Sequence, residues 1–227
     1  MLAFRALKQG LRFSYDNWRM WSNYMIVAMD VGELSEACRA LGRVVEETGA
    51  KSGAKSVDED VLERLVDAVT RAPANPEDSV ESGNAENAVR NPNEGHGLVR
   101  NVLLLFEHTI LPRVSSPRIF RAYARLLTWQ SRWEDAIKAS LDGYRCGTAG
   151  TMERGETDVA KWREAVSEVE EIVDVLRNFG PRVDGFNWRL QGRSIVRTFI
   201  GRTKDFEDEP EWITLTKLQD ELRKEED

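Results

Sequence analysis

The sequence predicts an all-α fold of antiparallel helix pairs, and three observations lead there. Apolar residues return at three- and four-residue spacing almost throughout the 227 residues, with no sustained strand alternation. Breakers fall between the periodic stretches: Gly32, the pair Pro112 and Pro117, and Gly180-Pro181. Large and small residues also recur in one register along the chain, the mark of stacked repeats.

Taken in order, the spacing predicts helices over 2–13, 17–30, 33–48, 58–72, 98–112, 117–130, 132–146, 157–179, 186–204 and 211–225. The second carries Trp18, Trp21, Tyr24 and Ala28 on one side, and Gly32 provides the turn into the third, which carries Ala37, Leu41 and Val44. Counted from Trp18 as position one, Trp21 is fourth, Tyr24 seventh, Ala28 eleventh, Gly32 fifteenth and Ala37 twentieth. These are packing positions of the tetratricopeptide repeat, whose period is about 34 residues. Bulky residues line the first helix, a glycine permits the turn, and a small residue at twenty lets the second helix approach closely.

The register extends both ways. Ala3, Leu7, Gly10 and Leu11 fit the second helix of a preceding repeat, so the chain is expected to be a piece of a longer solenoid that opens mid-repeat. Pro117, Phe120, Tyr123, Ala124, Leu127 and Ala136 repeat the pattern, with Ser131 in place of the turn glycine. Between them stands a split repeat: Leu62, Leu65, Val66 and Val69 on its first helix, Val102, Phe106 and Ile110 on its second. Residues 73–97 are rich in Pro, Gly, Asn and acids and cannot offset their ordering entropy by apolar burial, so a mobile acidic insertion is expected there. The domain reading is a right-handed repeat superhelix over 1–150, capping helices over 151–204, and an acidic tail over 205–227 with a short amphipathic helix.

Composition narrows the chemistry. Two Cys and two His argue against a cysteine-based zinc site, a multi-histidine centre or a disulfide framework. Neither a nucleophile–base–orienter set nor any other catalytic constellation is visible, so no enzyme, cofactor or small-molecule substrate is expected. No apolar run, Val102–Phe106 included, approaches the length needed to span a bilayer. The net charge of −7 argues against nucleic acid as a partner. Charge is unevenly spread: residues 182–204 carry six basic residues against Asp184, and residues 205–227 carry ten acids against Lys217, Arg223 and Lys224. Of the seven Trp, Trp18, Trp21, Trp129, Trp133 and Trp162 fall on packing or hairpin-edge positions and are expected in the core.

The run Asp16-Asn17-Trp18-Arg19-Met20-Trp21-Ser22-Asn23-Tyr24, followed by Asp30-Val31-Gly32-Glu33 and Glu36-Ala37, resembles the tetratricopeptide repeat protein 27 family. Leu105-Phe106 followed by Phe120 to Tyr123 is similar to that family as well. The resemblance is close over 1–150 and loose beyond. It implies a cytoplasmic or partly nuclear scaffold without catalytic activity. By the same resemblance, fungal members support cell-wall integrity and animal members take part in chaperone-assisted assembly of a spliceosomal ribonucleoprotein.

Such scaffolds take peptides in a groove lined by first-helix side chains. The carboxylate clamp for chaperone C-termini is broken here, with Ser22 and Ile26 in the first complete repeat and Ala122 in a later one. The candidate peptide groove is therefore Arg19, Asn23, Arg118, Arg121 and Arg125, the last three on one helix face and suited to acidic segments of a protein or a chaperone complex. Arg189, Arg193 and Arg197 form a secondary basic surface. The alternative is a regulatory or chaperone-adaptor domain acting through its acidic loop and tail, with the solenoid as support.

Overall fold

Four helices begin where a short polar side chain closes the first turn. Asn17 Oδ1 accepts from the amides of Arg19 and Met20, and Asp58 accepts from that of Val61. Asp158 accepts from Ala160 and Lys161, and Asn187 from Leu190, so each satisfies amides that lack an intrahelical partner. The computed structural model describes residues 1–52, 57–71 and 95–224, and no strand occurs among them. The helices are α1 (Leu2–Gly10), α2 (Trp18–Asp30), α3 (Leu34–Ser52), α4 (Glu59–Thr70) and α5 (Gly95–Leu104). There follow α6 (Pro117–Trp129), α7 (Trp133–Cys146), α8 (Thr148–Thr151), α9 (Val159–Phe179), α10 (Trp188–Arg202) and α11 (Glu211–Lys224). The chain divides into two compact units, Met1–Ser115 and Ser116–Asp227.

In the first unit, α2 and α3 form the hairpin the register predicts. Gly32 adopts φ +79°, and Tyr24, Ala28, Ala37 and Leu41 are fully buried. Aromatic rings knit this pair to its neighbour: Phe4 stacks on Tyr24 at 5.1 Å, and the indole N–H of Trp21 donates to the Tyr15 carbonyl at 2.6 Å. Helix α1 rests on α2 through Phe4, Gly10 and Leu11, which leaves Ala3, expected at a packing position, facing solvent. Trp18 is 44% exposed rather than part of the core, because it stands in the first turn of α2 ahead of the buried stripe that begins at Trp21.

The split repeat forms as well. Helix α4 packs on α5, and Leu65, Val66, Val69, Val102, Phe106 and Ile110 are all fully buried. The insertion expected at 73–97 lies outside the described residues up to position 94. Gly95, His96 and Gly97 open α5 instead of ending the loop, because burial of Leu98 and Val102 outweighs the poor helix propensity of glycine. Beyond Leu104 the helix widens into a π-helical stretch, Leu105–Ile110, closed by the Leu111 amide on the Phe106 carbonyl at 3.0 Å.

In the second unit, α6 and α7 repeat the hairpin. A Cβ on Gly143 would stand 3.0 Å from Phe120 Cβ, which measures how closely the two helices approach. Ile137, Leu141 and Tyr144 share one core with Trp162, Val169, Leu176, Val196 and Phe199, so the helices beyond 150 and the hairpin before it are a single packed body. Trp162 stacks on Phe206 at 5.0 Å within it. Helix α11 closes the unit: Leu215, Leu218 and Leu222 are buried, and Arg163 pairs with Glu209 and Glu211 at 3.0 and 3.1 Å.

Candidate functional site

The sequence places Arg118, Arg121 and Arg125 on the first helix of a hairpin, and all three are exposed on α6. The pattern follows from the buried stripe opposite, where Ile119, Ala122, Ala124, Leu126 and Leu127 face the core. Arg121 borders a small cavity of about 50 Å³ together with Glu168 and Glu171 of α9, so carboxylates stand beside it. Arg132, next along, pairs with Asp135 at 2.8 Å. Arg19 and Asn23 are exposed on α2 in the first unit, and the Arg19 guanidinium lies 5.5 Å from the Trp18 ring centre.

The secondary basic surface splits. Arg189 lies over the Trp188 ring at 5.0 Å, whereas Arg193 and Arg197, one turn apart, line a cleft of about 940 Å³. Three arginines that the row did not include join them: Arg154 from the loop after α8, Arg202 at the end of α10, and Arg223 on α11. The cleft exists because α8 is wedged against the end of α7. A Cβ on Gly150 would stand 2.2 Å from the Tyr144 carbonyl oxygen, so only glycine fits there. Glu168 accepts from the Ala149 amide at 2.8 Å and fixes the start of that turn. The Arg202 guanidinium reaches the Gly150 carbonyl at 3.4 Å and so borders the cleft from the far side. Burial, opposed by the Arg202 charge, pushes the Tyr144 phenol up to about 12.

A second cleft, of about 560 Å³, lies in the first unit between α3 and the π-helical stretch. Its charges are matched internally: Arg39 pairs with Glu36, and Arg43 with Glu46 and Glu47 at 2.8 Å. The thiol of Cys38 beside it is pushed up to about 12 by burial and is chemically inert at neutral pH. Among the described residues no group of His, Cys, Asp and Glu is placed to hold a metal ion, and no helix is long and apolar enough to cross a membrane.

No family model matches the chain, and no solved structure matches it. A TPR repeat-containing protein of Schizosaccharomyces pombe is 30% identical over 97% of this chain. The chain is thus similar over nearly its whole length to a tetratricopeptide-repeat protein. Essential for maintenance of the cell wall protein 1 of Saccharomyces cerevisiae is 23% identical over the same 97%. The tetratricopeptide repeat-containing protein trd-1 of Caenorhabditis elegans is 30% identical over 55%. The chain spans about a quarter of the length of the two yeast relatives, 25% and 24%. The tetratricopeptide hairpins, α2–α3 and α6–α7, were legible from the spacing alone. Arg154 and Arg223 were not, since one stands alone in a loop and the other sits among acids in the sequence.

Proposed function

We propose that the chain works as a tetratricopeptide-type scaffold for protein–protein interaction, without catalytic activity. The observation that carries this reading is the pair of hairpins in one register, each burying its small residue at position twenty (Ala37 and Ala136, both fully buried) while its first helix exposes polar side chains. Repeats of this kind offer extended surfaces to peptides. The tetratricopeptide names of the relatives support it.

The finer reading is a role in cell-wall integrity, which rests on the name of the Saccharomyces cerevisiae relative. Chaperone-assisted complex assembly in the cytoplasm, in part the nucleus, is the companion proposal, and it rests on family resemblance. Burial of Leu215 and Leu222 counts against a freely projecting acidic tail as the working element.

Affinity purification from a fungal extract, read by mass spectrometry, tests the scaffold reading with wild type and with Arg121→Glu/Arg125→Glu. Partners retained by wild type and lost in the variant are the expected result. An unchanged partner list would move the contact away from α6, and recovery of no partner by either would sink the scaffold itself.

A further inference from the structure

The cleft between α10, α11 and the loop after α8 concentrates positive charge in a chain whose net charge is −7. Among the described residues, five arginines line it against a single lining carboxylate, Glu153. Neither Arg154 nor Arg197 has an ion-pair partner among the described residues. Like charges gathered on a concave surface repel one another in the folded state, and the same arrangement focuses potential on an incoming anion. Arg223 pairs with Asp220 of its own helix at 3.7 Å, and outside the cleft Arg163 and Arg177 pair across to α11 or the turn before it, at 3.0 and 3.4 Å.

The lining also selects the kind of anion. Guanidinium groups take carboxylates in a two-pronged fit. Leu190, 60% exposed, gives the rim an aliphatic step beside Arg193 and Arg197. No aromatic side chain is among the lining residues, so the cleft lacks the ring platforms on which single-stranded nucleic-acid sites stack their bases. The volume of about 940 Å³ lies at the upper end of the roughly 300–1,000 Å³ of ligand clefts.

We infer that this cleft is a docking site for an acidic segment of a partner protein, whose carboxylates pair with Arg193 and Arg197 and whose aliphatic side chain covers Leu190. The inference rests on the scaffold reading and names the chemistry of one partner.

Fluorescence anisotropy on the whole chain tests it with three labelled probes. These are a short peptide of Glu, Asp and Leu, the same peptide with Gln and Asn for its acids, and a single-stranded RNA of similar length. The acidic peptide is expected to bind at least about tenfold more tightly than either of the others. Arg193→Glu/Arg197→Glu is expected to weaken it by about tenfold or more, and Arg121→Glu/Arg125→Glu to leave it unchanged.

Gly201→Trp supplies a block that leaves the charge alone. Gly201 lines the cleft, and a Cβ there meets nothing within 4 Å, so a side chain can start from this position without a clash at its first carbon. It too is expected to abolish peptide binding. Peptide affinity that survives both cleft variants, RNA that binds as tightly as the acidic peptide, or no measurable peptide binding would each overturn the inference. If partners still co-purify with the wild-type chain in that event, the cleft reading alone has failed and the scaffold reading stands.

Discussion

Glu36 joins three helices through one side chain. Its carboxylate accepts from Lys8 of α1 at 2.9 Å, from the Tyr24 hydroxyl of α2 at 3.1 Å, and from Arg39 of its own helix. Partial burial acts to raise its pKa. The Lys8 hydrogen bond, the Arg39 charge and the Tyr24 hydroxyl outweigh that and hold it below the ordinary carboxylate value of 4.5. The Tyr24 phenol moves the other way, to about 12, through burial first and the Glu36 charge second, so its hydroxyl stays a donor at neutral pH. A depressed carboxyl pKa contributes stability that is full above the unfolded value and lost as pH falls through the folded one. Glu36→Gln is therefore expected to lower stability by about 1–2 kcal/mol at pH 7, since the Lys8 and Arg39 ends are exposed and screened. The gap should close toward pH 3 as the wild-type carboxyl takes up its proton. Urea titrations at the two pH values check this, and a gap that stays constant with pH would refute it. Spacing marks Glu36 only as the neighbour of Ala37. That it meets Lys8, 28 residues away, depends on how α1 lies against α2, which no local pattern encodes.

At the scale of the element, the two hairpins solve one turn with different residues. Gly32 takes φ +79° at no steric cost, while Ser131, at the same repeat position, takes φ +59° with a Cβ against its carbonyl. The hairpin tolerates this because the flanking helices fix the turn: the Arg132 amide bonds the Leu127 carbonyl at 3.0 Å, as the Glu33 amide bonds Ala28 at 2.9 Å. Ser131→Gly is expected to raise stability by about 1 kcal/mol, and Gly32→Ala to lower it by a similar amount. Thermal melts followed by circular dichroism measure both, and a destabilising Ser131→Gly would show that the serine side chain contributes more than the strain it carries. The position of this turn was legible in the sequence because the register counts to fifteen in both hairpins. The π-helical stretch at Leu105–Ile110 was not, since it carries the same apolar spacing as an ordinary helix and departs from it only in which carbonyl each amide finds.

Across the whole molecule, the register that reveals the repeats also hides where packing divides the chain. Repeat positions stop at residue 150, yet Ile137, Leu141 and Tyr144 share their core with Trp162, Val169 and Phe199 from beyond it. A hairpin's outward face must be covered by whatever follows, repeat or not, so the core crosses the point where the pattern ends. The compact unit is Ser116–Asp227, and one core cluster within it runs from Ile137 to Leu222, apart from the buried stripe of α6. A core of this kind, with Trp162, Val169, Val173, Leu176 and Leu215 fully buried, is large enough to order a chain of about 110 residues by itself. Residues 116–227 expressed alone are therefore expected to unfold in one cooperative urea transition with a slope of about 1–3 kcal/mol/M. Tryptophan fluorescence and far-ultraviolet circular dichroism should give coincident curves, because Trp162 sits at the centre of the same core that holds the helices. Trp162→Ala, which removes about 3–5 kcal/mol from that core, should leave the segment largely unfolded. A broad, probe-dependent transition for the wild-type segment would mean that its core depends on residues before Ser116.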